Sequence, residues 1–129
     1  MSIPKSMSLP EGFSEIDNIE LKKLRSHKVP IIDIRTPQEW QQGGIINEAH
    51  QMMFFDAFGQ DHAKEWIDEL EKTVKDKTSP FVIYCAHANR TKAIGEWLTK
   101  QMGYNHVYEL AGGIEHGWRN LGEETVPAK

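Results

Sequence analysis

The sequence has little cysteine, no long apolar run and no large excess of charge of either sign. Cys85 is the only cysteine among 129 residues, so an internal disulfide and a thiolate cage for a metal are both excluded. No apolar stretch approaches the roughly 20 residues that cross a bilayer. The net charge of −4 argues against nucleic acid or a membrane surface as a partner.

The first residues also lack the features of a secretory leader. Residues 1–12 contain one lysine and two prolines but no apolar core, which predicts a cytoplasmic protein. A leader removed ahead of residue 1 would instead give a periplasmic one. We expect residues 1–12 to form a flexible arm, residues 13–121 to form a single domain and residues 122–129 to form a C-terminal tail.

Apolar patterns of strand and helix type alternate along the chain. Short β-branched or aromatic runs predict strands, and apolar residues at helical spacing between capping signals predict helices. The predicted strands are 29–34, 49–54, 81–84 and 106–108, and the predicted helices are 17–26, one after Thr36, 61–74, 90–102 and 114–121. This alternation is typical of an α/β domain with a mostly parallel sheet.

Cys85 follows a predicted buried strand and precedes a predicted helix. A free cysteine in this position can be a small buried hydrophobe or a reactive thiol. Ligands of open α/β sheets bind at this edge. The small-sided loop 85–91 can direct backbone N–H groups inward, and a helix N-terminus and Arg90 lie next to it. These features stabilise a thiolate, so we favour a reactive Cys85.

Three ordered motifs resemble those of the rhodanese family, over residues 13 to 121. Cys85-Ala86-His87-Ala88-Asn89-Arg90-Thr91 is similar to the family's active-site loop, Cys-x-x-Gly-x-Arg-Ser/Thr. Residues 32–40 contain Asp33 and Arg35 and resemble the first signature, Asp-Val-Arg followed by Glu-Tyr/Phe. Residues 107–118 resemble the closing signature, Leu-x-Gly-Gly-x4-Trp. Each motif alone is weak, whereas together they are specific.

This resemblance implies a five-stranded, mostly parallel sheet flanked by helices on both faces. Cys85 is then the catalytic nucleophile at the bottom of a shallow pocket, and Ala86, His87, Ala88, Asn89, Arg90 and Thr91 bind substrate. Asp33 and Arg35 support the loop through an ion pair or hydrogen bonds, and direct contact with the substrate is the less favoured role. The implied reaction moves sulfane sulfur from thiosulfate, polysulfide or a persulfide to a thiol, to cyanide or to a protein acceptor. It involves no cofactor and no metal.

Loop length separates the sulfurtransferase from related phosphatases and arsenate reductases, whose pattern is Cys-x5-Arg. This chain has Cys-x4-Arg, and the tighter loop favours sulfur. Three alternatives remain, namely a non-enzymatic persulfide carrier or docking module, an anion hydrolase or reductase, and an inert domain with a structural cysteine. Sequence does not separate the carrier from the enzyme, because both use the same thiol chemistry.

Several positions depart from the family pattern. Ala88 replaces the loop glycine, and Glu48 stands at the glycine of the family's His-Ile-x-Gly-Ala segment. Residues 50–62 are longer than the minimal pattern and rich in Met and Phe, which favours buried packing over a surface that docks a partner. His87 is either a rim residue that tunes substrate binding or a bystander. The other histidines lack metal-ligand spacing. Glu39 is explained as a helix cap.

Overall fold

A five-stranded parallel sheet forms the centre of the protein. The computed structural model describes residues 3 and 7–129. The strands are β1 Gly12–Ile16, β2 Ile31–Asp33, β3 His50–Gln51, β4 Phe81–Tyr84 and β5 His106–Leu110. Their order is β1-β5-β4-β2-β3, and every pairing is parallel. The predicted α/β class is confirmed.

Helices cover both faces of this sheet. They are α1 Asn18–Ser26, α2 Pro37–Gly43, α3 Ala63–Thr73, α4 Arg90–Lys100 and α5 Gly113–His116, followed by a 3₁₀ helix, Arg119–Leu121. Successive strand residues point to opposite faces. Ile83 thus packs in one core with residues of α3 and α4, whereas Val82 packs in a second core with residues of α1 and α5. The predicted two-sided arrangement is therefore confirmed.

Helix starts follow the predicted capping signals in two of three cases. Asp17 with Glu20 and Thr36 with Glu39 each form a reciprocal capping box at the start of α1 and α2. At α3, where the predicted helix 61–74 begins with Asp61 as a candidate cap, the N-cap lies one residue later. His62 occupies the N-cap position without a side-chain cap, while the Asp61 carboxylate accepts a hydrogen bond from the Ala63 N–H at 3.2 Å.

Three local features differ from the sequence prediction. Strand β1 was not predicted, because its short run alternates weakly between apolar and polar residues. The predicted helix 114–121 is divided, with α5 ending at His116 and the 3₁₀ helix starting at Arg119. Gly117 lies at this division, where a Cβ would be 1.9 Å from the Ala111 carbonyl oxygen. Ala93 belongs by its helical spacing to the apolar face of the predicted helix 90–102, which predicts an inward position, but it is exposed.

Both terminal segments contact the domain where they are described. The predicted arm covers residues 1–12, of which 1, 2 and 4–6 lie outside the described residues. Met7 and Leu9 pack against the core that contains α1. In the tail, Val126 forms an antiparallel bridge with Ile45. The tail is thereby held against the segment that follows α2.

The predicted buried packing of segment 50–62 is found at only some of its apolar residues, and most of the segment is exposed or half-buried. Met52 and Phe54 are buried, whereas the Phe58 side chain is 91% exposed. The Asp56 carboxylate accepts hydrogen bonds from the backbone N–H groups of Phe58 and Gln60 and so orders the turn that carries Phe58. Across residues 3 and 7–129, the helices are too short or too polar to cross a membrane.

Replacing Glu48 by glycine tests the strain in the turn at 46–49. The Ala49 N–H closes this turn on the Ile46 carbonyl at 3.0 Å, and Glu48 has φ +73°. The left-handed conformation costs a non-glycine residue about 1 kcal/mol, and the extra chain entropy of glycine offsets part of any gain. We expect Glu48→Gly to raise the free energy of unfolding, measured in urea, by about 0.5 kcal/mol.

Ala93→Gly, within the regular helix α4, is the matched control. It should lower the free energy of unfolding by about 1 kcal/mol. A decrease for both variants would show that the turn at Glu48 is not strained.

Candidate active site

Cys85 lies at the carboxyl end of β4, immediately before the loop that leads into α4. Its side chain is fully buried and belongs to the core between the sheet and helices α3 and α4. The Sγ atom is 3.7 Å from Asn89 Oδ1 and 3.8 Å from Thr91 Oγ1. The thiol is therefore enclosed by its own loop, rather than open at the bottom of a pocket.

The loop backbone has the conformation of an anion nest. Ala88 is left-handed, with φ +62°, and Asn89 is right-handed, with φ −92° and ψ −44°. Consecutive residues of opposite hand turn their N–H groups toward one concave side. Among the described residues, none accepts a hydrogen bond from the backbone N–H groups of residues 86–91. Ala88 thus adopts the conformation that glycine provides in the family pattern.

Helix α5 holds the first two carbonyl groups of the loop. The Ile114 N–H donates to the Cys85 carbonyl at 2.9 Å, and the Glu115 N–H donates to the Ala86 carbonyl at 3.1 Å. Gly113 makes this approach possible, because a Cβ there would lie 2.3 Å from the Ala86 oxygen. Since each peptide group is planar and trans, the following N–H groups point away from α5.

Arg90 ties the loop to helix α2. Its guanidinium donates to both carboxylate oxygens of Glu39, at 2.8 and 2.9 Å. Burial opposes ionisation of Glu39, but hydrogen bonds from Arg90 and Thr36 outweigh it and lower the pKa of the carboxyl to about 2. The bond to Glu39 raises the pKa of Arg90 against the opposing effect of burial. Glu39 is thus a helix cap, as predicted, and also the partner of Arg90, which the sequence did not reveal.

Asp33 and Arg35 form the predicted ion pair at the carboxyl end of β2. Both side chains are buried, with Nε to Oδ1 at 3.0 Å and Nη2 to Oδ2 at 2.8 Å. Arg35 Nη2 also donates to the Gly44 carbonyl at 2.8 Å. Burial disfavours the guanidinium charge, but the bond to Asp33 prevails and raises the pKa of Arg35. The pair joins β2 to the end of α2, beside the loop.

Thr91, the last loop residue, connects Cys85 to a buried acid that the sequence analysis missed. The Thr91 hydroxyl donates to Glu109 Oε1 at 2.6 Å, and the ammonium of Lys92 pairs with Oε2 of the same carboxylate. Glu109 is 1% exposed in strand β5. A charged residue between apolar residues, directly after the predicted strand 106–108, was the available signal.

An open pocket of about 510 Å³ adjoins the loop. The loop contributes Ala86 and His87 to its lining, but not Cys85. The remaining lining residues are Arg35, Glu39, Gln42, Gly43, Glu115, His116, Arg119 and Asn120. The His87 and His116 rings lie 4.9 Å apart. His87 is therefore a rim residue, and α5 supplies pocket residues that the sequence motifs did not identify. No group of three or more potential metal ligands occurs among residues 3 and 7–129.

Adding a methyl group at Gly113 tests the contact between α5 and the loop. Gly113 has φ +66° and no space for a Cβ, whereas Gly59 has φ +80° and open space around it. Gly59→Ala should lower the free energy of unfolding by about 1 kcal/mol, the conformational cost alone. Gly113→Ala should cost at least about 2 kcal/mol more in urea unfolding, because the α5 backbone must shift. Equal decreases in the free energy of unfolding for both variants would show that the close contact between Gly113 and the loop does not matter for stability.

The Glu39–Arg90 pair should stabilise the protein in a defined pH range. The folded-state pKa of Glu39 is about 2, against an ordinary value of 4.5. Its stabilising contribution is therefore complete above pH 4.5 and is lost as the pH falls toward 2. The free energy of unfolding of the wild type should decrease more steeply over this range than that of Glu39→Gln, which keeps the helix cap. Parallel curves would show that the pair adds no stability.

Comparisons with known proteins agree with this geometry. The thiosulfate sulfurtransferase GlpE of Ectopseudomonas mendocina is 29% identical over 107 residues, covering 83% of this chain and 85% of that protein. GlpE of Pseudomonas aeruginosa is 26% identical over 113 residues, covering 88% and 90%. A rhodanese-related protein of Thermoplasma volcanium has the same fold, with a TM-score of 0.65, 21% identity and coverage of 89% and 99%. The family model of the rhodanese-like domain matches residues 17–120, and the chain therefore belongs to the rhodanese-like domain family.

Proposed function

We propose that this protein is a sulfurtransferase that carries sulfane sulfur as a persulfide on Cys85. The observation that carries the proposal is the nest-shaped loop 86–91, whose backbone N–H groups have no acceptor among the described residues. Unpaired N–H groups beside a thiol provide donors for an anion. Membership of the rhodanese-like family supports the same reaction.

The reaction proceeds by double displacement. The Cys85 thiolate attacks the outer sulfur of thiosulfate, a Cys–S bond forms, and the S–S bond of thiosulfate breaks as sulfite leaves with the electron pair. The outer sulfur of the persulfide then carries the negative charge, which the loop N–H groups stabilise. A thiolate or cyanide next attacks this sulfur and releases the Cys85 thiolate, giving a persulfide or thiocyanate.

Small anionic donors and thiol acceptors fit the pocket beside the loop. His87 and His116 line one side, together with the guanidinium of Arg119. Both terminal nitrogens of the Arg90 guanidinium already donate hydrogen bonds to the Glu39 carboxylate. We therefore place Arg90 as a support of the loop, while the loop N–H groups receive the donor's charge.

Sulfur loading of Cys85 is the direct test. Incubation with thiosulfate or polysulfide should increase the intact mass by one sulfur atom, and addition of cyanide should remove it as thiocyanate. Cys85→Ser should gain no sulfur. Hydrolysis of p-nitrophenyl phosphate should be negligible, because the Cys-x4-Arg loop is one residue shorter than the phosphate-binding pattern.

Two outcomes would replace the proposed sulfurtransferase by another function. Hydrolysis of the phosphate ester by a protein that never gains sulfur would identify an anion hydrolase. Loading from a protein persulfide, with no loading from thiosulfate or polysulfide, would identify a carrier. Inserting one glycine between Ala88 and Asn89 provides a further contrast, since a longer loop should impair sulfur transfer.

A further inference from the structure

Glu109 is a buried carboxylate that the reaction above does not use. It lies in β5, where its neighbours Tyr108 and Leu110 are buried in the core on one face of the sheet. One carboxylate oxygen accepts a hydrogen bond from the Thr91 hydroxyl at 2.6 Å, and the other pairs with the ammonium of Lys92. Burying a carboxylate is costly, and here its partners are the residues directly after Arg90. The acid is thus coupled to the loop of Cys85.

The hydrogen bond to Glu109 determines whether the Thr91 hydroxyl can donate a hydrogen bond to Cys85 or only accept one. A hydroxyl has one proton and two lone pairs. Because Thr91 donates its proton to Glu109, only lone pairs face the Cys85 sulfur at 3.8 Å. A second side-chain oxygen at the sulfur is Asn89 Oδ1, at 3.7 Å, and the Arg90 side chain also interacts with Cys85. A protonated thiol can donate to either oxygen, whereas a thiolate meets lone pairs on both.

We propose that Glu109 is a positioning residue that acts through Thr91 and opposes ionisation of Cys85. This inference rests on the proposed role of Cys85 as the nucleophile. Without the Glu109 charge, the Thr91 proton is free to turn toward the sulfur and stabilise a thiolate. Lys92 favours the thiolate form of Cys85, because its positive charge compensates the negative charge of Glu109. The two members of one ion pair therefore act in opposite directions on Cys85.

Other charged groups near the sulfur are accounted for by their own contacts. Arg90 and the loop N–H groups favour a thiolate, and Glu39 neutralises Arg90. Glu15, on β1, acts on Lys92, whose pKa is raised chiefly by the bond to Glu109. His87 lies on the pocket rim, against His116. Among the described charged groups, Glu109 is thus the carboxylate whose hydrogen bond reaches the sulfur through one hydroxyl.

The pH dependence of Cys85 alkylation tests the inference. Iodoacetamide reacts with the thiolate, and the rate is followed by intact mass across a pH series. Glu109→Gln should lower the pH midpoint of alkylation by about one unit, so that the rate below the midpoint rises about tenfold. Lys92→Met should raise the midpoint. A purely structural ion pair would loosen in both variants and shift the midpoint in one direction.

A second ion pair, formed within helix α4, is the matched control. Glu96 and Lys100 pair at 2.6 Å on the exposed side of α4, so Glu96→Gln and Lys100→Met should leave the midpoint unchanged. In a Thr91→Val background the effect of Glu109→Gln should be largely lost, whereas Thr91→Ser should preserve it. If Glu109→Gln fails to fold, Lys92→Met, at a side chain that is 55% exposed, is compared in the wild-type and Thr91→Val backgrounds. The direct effect of the Lys92 charge on Cys85 persists without the Thr91 hydroxyl, so an unchanged shift in the Thr91→Val background would overturn the inference.

The results separate this inference from the proposed function. A protein that loads sulfur but shows the wild-type midpoint in both variants, or shifts of equal sign, would overturn the role of Glu109. A protein that shows the opposite shifts but never loads sulfur would overturn the sulfurtransferase and retain the coupling.

Discussion

The position of the reactive loop depends on two backbone hydrogen bonds from α5 to the carbonyl groups of Cys85 and Ala86. A planar peptide group that is fixed at its carbonyl is also fixed at the opposite N–H, so these bonds orient the donors that face away from α5. Only a residue without a side chain permits the approach, and Gly113 provides it. The closing Gly-Gly motif and the cysteine loop are therefore one structural unit, although they lie far apart in the sequence.

The two cations at the start of α4 do not act on the sulfur as free charges. Arg90 is matched by Glu39 from α2, and Lys92 is matched by Glu109 from β5. Each pair is close to neutral, and its field weakens quickly with distance. Arg90 and Lys92 still interact with Cys85, and the backbone dipoles of the loop and the Thr91 hydroxyl act on the sulfur beside them.

Sequence alone predicted the parts of this protein that local patterns determine. The strand before Cys85 and the capping boxes follow from residue types at short spacing, and the family resemblance supplied the sheet of five strands and the pairing of Asp33 with Arg35. The partners of Arg90 and Thr91 were not predicted, because Glu39 and Glu109 reach them from distant positions in the chain. Strand β1 was missed for a related reason, since its stability comes from pairing with β5 more than from its own residues.

The restraints on the loop also determine how a donor reaches a buried sulfur. Cys85 and Ala86 are held by α5, and Arg90 is held by Glu39, so both ends of the loop are fixed. His87 and Asn89 are exposed between these ends, and Asn89 makes no capping bond at the start of α4. The proposed sulfur transfer therefore requires the middle of the loop to move, because Cys85 is buried while both ends of the loop are held.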